Sequence, residues 1–370
     1  MSQLKPSLIR ALHDAKVPGD IDLGLGQADM RPDMAPFDAA MAWIRANGCP
    51  YTPNAGVLAL REAVSAHRVW SPGPQGVVIT HGSQEALYLV VKSLLRPGID
   101  EVLIPTPAYG AYGKICDLEG IQHQAVDLGG AHGFTPKAQT VLDAITARTR
   151  LILLASPVNP TGRVWTDAEF QALAAGLAER PGPPVYVLVD EVYRALTYHA
   201  DAGDLSRYWP HTLVVGGLSK SHALTGLRIG WLLGPAEVAS AAVKVHQQVT
   251  TAASTFSQRV ALEILNQPHS FTACRSHWST RQAWVAQRLA GTPLRHTPLD
   301  GAFYSFLAIP PSVGGDSLQV AQRVLAETRV VTIPGAAFGA AGEGWLRISY
   351  AGEDAAIQEG ITRVAEALHG

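Results

Sequence analysis

Short apolar runs separated by longer stretches of mixed polarity occupy the middle of the chain. The runs at 77–80, 101–104, 151–155, 185–189 and 213–216 are rich in Val, Ile and Leu. Strands that are buried on both faces have continuous apolar runs of this kind, so these segments predict a mainly parallel sheet covered by helices. The pattern therefore indicates an α/β domain.

The two ends of the chain have different patterns. Leu8, Leu12 and the residues between them predict a short helix, and an extended arm rich in Gly, Pro and Asp follows. A helix near residues 256–258 begins the passage into a second, smaller α+β lobe. A length of 370 residues also favours two lobes, because single cores stop growing near about 250–300 residues. The predicted division is 1–36 for the helix and arm, 37–262 for the large domain and 263–370 for the small domain.

Composition excludes several classes of protein. The 29 basic and 31 acidic residues give a formal net charge of −2, which argues against binding to nucleic acid or an anionic membrane. The scattered cysteines Cys49, Cys116 and Cys274 predict neither a disulfide framework nor a zinc site. The N-terminus lacks the apolar core of a signal peptide, and no uncharged apolar run approaches the ~18 residues of a membrane span. We therefore expect a cytoplasmic protein without a bound metal.

The segment GGLSKSHALTGLRIG (216–230) follows an apolar run and places Lys220 among small residues. A lysine forms Schiff bases when its amine is held at a carbonyl group and its pKa is lowered by burial or neighbouring cations. Arg228 supplies such a cation a short distance along the chain. The pattern indicates a reactive amine beside a phosphate site.

This segment resembles the cofactor-lysine signature of the class I/II aminotransferases, which belong to the aspartate aminotransferase superfamily of fold type I enzymes that use pyridoxal 5'-phosphate (PLP). The resemblance implies a large domain with a mainly parallel sheet flanked by helices, plus a smaller α+β domain. Further segments in similar order extend the resemblance over nearly the whole chain: DLGLG (22–26), YTPNAG (51–56), THGSQEAL (80–87), PTPAY (105–109), SPVNPTG (156–162), DEVY (190–193) and WLRIS (345–349).

The resemblance assigns roles around the cofactor ring. Lys220 would hold PLP as an internal aldimine and later, as a free amine, move the substrate proton. Asp190, at the end of an apolar run, would keep the pyridine nitrogen protonated so that the ring can accept electrons. Tyr193 and Asn159 would hydrogen-bond the phenolic oxygen of the ring, and Tyr109 would stack on its face.

The resemblance also implies a phosphate cup and a dimer. Ser83 and Gln84 lie at a predicted helix start, where free backbone N–H groups bind anions. Together with Ser219 and Arg228 they would hold the phosphate. Tyr51 resembles the tyrosine that reaches the phosphate of the neighbouring subunit, so a homodimer with shared active sites is implied.

Substrate recognition needs a bidentate donor for the α-carboxylate, and the planar guanidinium of Arg347 suits that task. Gly26 and Asn159 resemble the residues that lie against the same carboxylate. The implied reaction moves an amino group from an L-amino acid to a 2-oxo acid by a ping-pong mechanism. Two positions depart from the family pattern: Gly217 replaces a frequent serine, and Gln84 replaces the lysine of one branch that acts on acidic substrates, which argues against aspartate as the preferred donor.

Other functions stay open at this point. β-Lyases (C–S lyases) and other α-carbanion enzymes share the lysine, aspartate and arginine framework, because the pocket decides which bond the cofactor breaks. A Rossmann oxidoreductase without PLP is less well supported, since Gly24-x-Gly26 is followed by Asp29 where the third glycine belongs. The donor, the acceptor and the pathway do not follow from the sequence.

Overall fold

The computed structural model describes residues 8–67, 71–199, 201–267 and 269–369. Its helices are α1 (Leu8–Asp14), α2 (Ala35–Asn47), α3 (Leu58–Ala66), α4 (Gly82–Leu94), α5 (Ala111–Leu118), α6 (Ala138–Asp143), α7 (Asp167–Ala178), α8 (Ala236–Val249), α9 (Thr255–Leu265), α10 (Ser270–Ala290), α11 (Ser317–Thr328) and α12 (Asp354–His369). Its strands are β1 (Ile21–Asp22), β2 (Val77–Thr80), β3 (Glu101–Thr106), β4 (Gln122–Asp127), β5 (Thr149–Ala155), β6 (Tyr186–Asp190), β7 (Thr212–Gly217), β8 (Gly230–Leu233), β9 (Tyr304–Ala308), β10 (Val330–Val331), β11 (Ile333–Pro334) and β12 (Trp345–Ser349).

The central sheet has the strand order β2-β8-β7-β6-β5-β3-β4. The pairings among β3, β4, β5, β6 and β7 are parallel, whereas β8 pairs antiparallel with β2 and β7. The predicted α/β fold with a mainly parallel sheet is therefore confirmed. Because parallel strands end at the same edge, the residues that follow β3, β5, β6 and β7 gather at one side of the sheet.

Alternate side chains of the central strands pack on opposite faces of the sheet. Leu151 and Leu153 of β5 pack in a cluster with residues of α4 and α5, whereas Ile152 and Leu154 pack with residues of α6 and α7. Because both faces are covered, these strands are apolar at consecutive positions. This is the physical origin of the apolar runs in the sequence.

Two strands of the sheet were not predicted by those runs. In β4, at the sheet edge, only Val126 is buried and the other residues are exposed, so the strand has no apolar run. The short strand β8 begins at Gly230, inside the segment whose residues suggested a cofactor site. Exposed side chains hide β4 from a criterion based on burial, whereas β8 is largely buried.

The C-terminal lobe has its own apolar cluster, in which the antiparallel sheet β11-β12-β9 packs with α10, α11 and α12. The N-terminal arm joins this lobe, because β1 pairs with β10 and Leu23 is buried in the same cluster. Arg281 of α10 forms ion pairs with Asp29 of the arm and with Asp354 at the start of α12. These contacts hold the arm against the C-terminal lobe. The domain boundaries given above stay a prediction.

Candidate active site

A cavity of about 470 Å³ lies where the carboxyl ends of the central strands meet the arm and the C-terminal lobe. Its wall combines residues that are far apart in the sequence. The structure brings these predicted site residues to the wall: Gly26, Ser83, Gln84, Tyr109, Asn159, Asp190, Tyr193, Ser219, Lys220, Arg228 and Arg347. Tyr51 is the predicted site residue that does not line this cavity.

Lys220 lies just beyond the end of β7, with its side chain partly buried. Its Nζ donates a hydrogen bond to the backbone oxygen of Gly26 at 2.7 Å. The arm therefore holds the amine within the cavity. A bound carbonyl compound would meet an oriented nucleophile there, as covalent catalysis by lysine requires.

Asp190 ends β6 and is 5% exposed. Its carboxylate accepts hydrogen bonds from the Tyr112 hydroxyl at 2.9 Å and from the Val192 backbone N–H at 3.2 Å. Burial raises the pKa of Asp190 to about 6, although these hydrogen bonds oppose the shift. A cationic donor at this position in the cavity would stabilise the charged carboxylate.

Arg347 is in the middle of β12 and is 2% exposed. Its guanidinium donates to Asn159 Oδ1 at 2.9 Å and to the backbone oxygen of Gly24, while its Nε has no partner within the described residues. The rings of Tyr304 and Phe338 lie 4.3 and 5.0 Å from the guanidinium carbon. In the part of the chain that the structure describes, Arg347 forms no ion pair, so a structural salt bridge does not explain it. A buried cation of this kind is stabilised by an anionic ligand.

The first turn of α4 forms one side of an anion site. Gly82 begins the helix with φ 74°, and Ser83 and Gln84 follow in the turn whose backbone N–H groups have no helical acceptor. A Cβ atom on Gly230 would lie 2.5 Å from the Ser83 nitrogen, so β8 packs directly against this turn. Helix starts with free N–H groups bind phosphate.

Arg228 forms the other side of the anion site. It has a left-handed backbone with φ 49°, and its Nη1 donates to the Thr225 oxygen at 3.0 Å. A Cβ atom on Gly82 would lie 2.6 Å from Arg228 Nη2, so the guanidinium lies against the start of α4. Ser219 completes this part of the cavity wall. The arrangement concentrates positive charge where the predicted cup lies.

Two tyrosines in the wall were missed by the sequence interpretation. Tyr304 of β9 shares a hydrogen bond of 2.8 Å with the Tyr193 hydroxyl, and Tyr112 of α5 binds Asp190. A Cβ atom on Gly26 would lie 1.9 Å from Tyr304 Oη, which explains the need for glycine there. The position of Tyr304 in a mostly apolar strand could have indicated a role in the site, because a buried tyrosine hydroxyl needs a hydrogen-bond partner.

Comparisons with known proteins identify the family. The family described as aminotransferase class I and II matches residues 45–364. The chain belongs to this family. It is 36% identical to the probable N-acetyl-LL-diaminopimelate aminotransferase of Bacillus subtilis, over 93% of this chain and 88% of that protein. It is 33% identical to the aspartate aminotransferase of Pyrococcus horikoshii, over 99% of this chain and 96% of that protein.

A solved structure agrees with this family membership. The aspartate aminotransferase of Thermus thermophilus with maleate superposes with a TM-score of 0.91 at 30% identity, covering 100% of both chains. The predicted family, fold type I and transaminase function are therefore confirmed, and the Rossmann oxidoreductase is rejected. The substrates named for these relatives differ, so they leave the donor and the acceptor of this aminotransferase open.

No helix within the described ranges has the length and apolar character to cross a bilayer. Over the same part of the chain, no three His, Cys, Asp or Glu side chains lie close enough together to hold a metal ion.

Proposed function

We propose that this aminotransferase uses PLP, held covalently by Lys220, to move amino groups from an L-amino acid to a 2-oxo acid by a ping-pong mechanism. The observation that carries the proposal is the shared cavity: the oriented Lys220 amine and the buried Asp190 carboxylate face the same space. When bound, PLP supplies an acceptor for the electrons that remain when a proton leaves the substrate Cα.

The cavity offers a fitting group for each polar part of PLP. Lys220 fits the aldehyde, and Asp190 lacks a bonded cation among the described residues, which a protonated pyridine nitrogen would supply. The start of α4 and Arg228 fit the phosphate. Tyr109, whose ring packs edge-on to Tyr112 at 5.7 Å, offers an aromatic surface in the same wall.

Arg347, Asn159 and Lys220 would have different roles toward the substrate. Arg347 binds the α-carboxylate with two parallel N–H groups, and Asn159 orients the guanidinium through its Oδ1. This would fix the amino acid with its Cα near Lys220. Once the substrate amine has displaced Lys220 from the cofactor, the free Lys220 amine would take the Cα proton as a general base.

Initial-rate kinetics test this proposal against a β-lyase. With an active pair of amino acid and oxo acid, double-reciprocal plots at several acceptor concentrations are expected to be parallel, as for ping-pong transfer. Nitrogen-15 from the donor should appear in the amino acid formed from the acceptor. Release of ammonia and an oxo acid at an undiminished rate without any acceptor would contradict transamination and support the lyase.

We predict that Arg347→Lys raises the KM for the amino acid donor about 100-fold, with a smaller change in kcat. A lysine ammonium is a point charge and cannot form two parallel bonds to a carboxylate. Steady-state kinetics with varied donor measure the effect. The matched control is Arg150→Lys, a half-buried arginine that pairs with Asp100 at 3.7 Å, away from the cavity. The control should lower Tm and leave the KM for the donor unchanged. An unchanged KM in Arg347→Lys would refute the assignment of Arg347 to the α-carboxylate.

The proposed enzyme is a homodimer with shared active sites. Tyr51 is 90% exposed and does not line its own cavity, which fits a residue that contacts another copy of the chain. Light scattering is expected to give twice the 39.3 kDa mass of one chain. A monomeric mass for the active enzyme would contradict the shared site.

A further inference from the structure

A buried hydrogen-bonded cluster lies behind the predicted phosphate cup. Its centre is Glu85, the residue after Gln84 in the first turn of α4. The Glu85 carboxylate accepts hydrogen bonds from the His81 backbone N–H at 2.6 Å and from Thr250 Oγ1 at 2.9 Å. His246 of α8, which is 0% exposed, places its Nδ1 3.2 Å from the same carboxylate.

The cluster fixes the backbone that leads into the cup. The bond from the His81 N–H to Glu85 closes the turn in front of α4, and Thr80 Oγ1 donates to the Gly82 oxygen at 2.9 Å within the same turn. The direction of the free N–H groups at Ser83 depends on this turn. Glu85 therefore acts on the anion site through backbone geometry, without lining the cavity.

Several donors hold the Glu85 carboxylate in place. Burial raises its pKa, but hydrogen bonds from His246, from the His81 N–H and from Thr250 bring that pKa down to about 2, so the carboxylate is ionised. The His246 ring of α8 therefore helps to fix the side chain that closes the turn in front of α4.

We propose that Glu85 and His246 are positioning residues for phosphate recognition: Glu85 holds the turn 81–84, and His246 holds the Glu85 carboxylate in place. This inference rests on the proposed use of PLP. It assigns the pair to the phosphate and to no other part of the cofactor. Changes in the pair should therefore affect ligands with a phosphate and spare those without one.

The test compares PLP with pyridoxal, which has the same ring and aldehyde but no phosphate. In titrations of the apo-protein, Glu85→Ala is expected to weaken PLP binding about tenfold or more, because it removes the acceptor for the His81 N–H that closes the turn. Pyridoxal binding should change less than about twofold. Inorganic phosphate should compete with PLP binding less well in the variant than in the natural protein.

Further variants keep the inference falsifiable. Glu85→Gln keeps an acceptor for the His81 N–H and should retain most of the PLP affinity lost in Glu85→Ala. Should Glu85→Ala fail to fold, His246→Phe, which removes a donor to the Glu85 carboxylate and keeps an aromatic ring, is expected to show the same split between PLP and pyridoxal. The control His211→Gln changes a half-buried histidine packed against Tyr186 and Trp209, outside the cavity, and should leave both affinities unchanged.

Two results would overturn the inference. Equal losses of PLP and pyridoxal affinity would show a general structural role, and unchanged PLP affinity would show no role. Both differ from a failure of the proposed function, in which the natural apo-protein itself takes up no PLP.

Discussion

Replacement of Lys220 with alanine is expected to lower kcat by about 10⁴-fold or more. The variant loses both the covalent attachment of the cofactor and the general base at the substrate Cα, and a general base alone contributes ~10²–10⁴-fold. Activity with an acceptor oxo acid measures the loss. Borohydride reduction followed by peptide mass spectrometry should place the cofactor on the peptide containing Lys220 in the natural enzyme.

The matched control for this variant is Lys92→Ala. Lys92 lies on α4 and pairs with Glu119 at 2.7 Å, away from the cavity. The Lys92→Ala variant should retain activity, and the peptide that contains Lys92 in the natural enzyme should carry no cofactor. Cofactor attached to another lysine, or substantial activity in Lys220→Ala, would show that the nucleophile is elsewhere.

Replacement of Asp190 with asparagine is expected to lower activity while stabilising the apo-protein at high pH. Loss of the carboxylate opposite the cofactor nitrogen should cost at least about 10²-fold in kcat, the scale of a lost electrostatic contact in a reacting site. The stability change has a different origin. The pKa of Asp190 is raised from 3.8 to about 6, so the folded apo-protein binds the proton more tightly than the unfolded chain does.

The sign of the pH dependence follows from that shift. Above pH 6 the buried carboxylate is ionised and costs the folded state about 3 kcal/mol, at ~1.36 kcal/mol for each unit of pKa. Asparagine removes this cost, so its advantage in the free energy of unfolding should be largest near pH 8 and should disappear as the pH falls from 6 to 4. Urea unfolding of both apo-proteins at pH 8 and pH 4.5 measures the difference.

For a second buried aspartate, Asp100, we expect the opposite change in stability. Hydrogen bonds from Arg96 lower the pKa of Asp100, despite its burial. Asp100→Asn should therefore destabilise the protein at pH 8, with no loss of cofactor binding. Destabilisation by Asp190→Asn at pH 8 would contradict the view that Asp190 has no bonded cation among the described residues of the apo-protein.

The sequence predicted the parts of the fold that depend on burial from both sides. Strand β5 gave an apolar run because Leu151 and Ile152 face different clusters. The edge strand β4 was missed because its side chains face solvent and carry no apolar signal. Burial at consecutive positions leaves a run of apolar residues in the sequence. Pairing at a sheet edge depends instead on backbone hydrogen bonds, which any residue can form.

The candidate site also has residues that the sequence predicts and contacts that it does not. Lys220, Asp190 and Arg347 lie in local motifs, and the structure brings them to one cavity wall. The Tyr193–Tyr304 bond and the contact of His246 with Glu85 join residues from separate elements, and no local pattern specifies such partners. The absence of an ion pair at Arg347 among the described residues also needed the structure, since an acidic partner could lie anywhere along the chain.

The central claim is that this aminotransferase transfers an amino group through PLP held by Lys220, and a single-turnover half reaction tests it most directly. The purified enzyme, loaded with PLP, would be mixed with single amino acids and no acceptor, and both visible absorption and oxo acid would be measured. The account predicts loss of the visible band with about one molecule of oxo acid formed per subunit, and return of the band when an oxo acid is added. A band that persists while ammonia and oxo acid accumulate over many turnovers would contradict it.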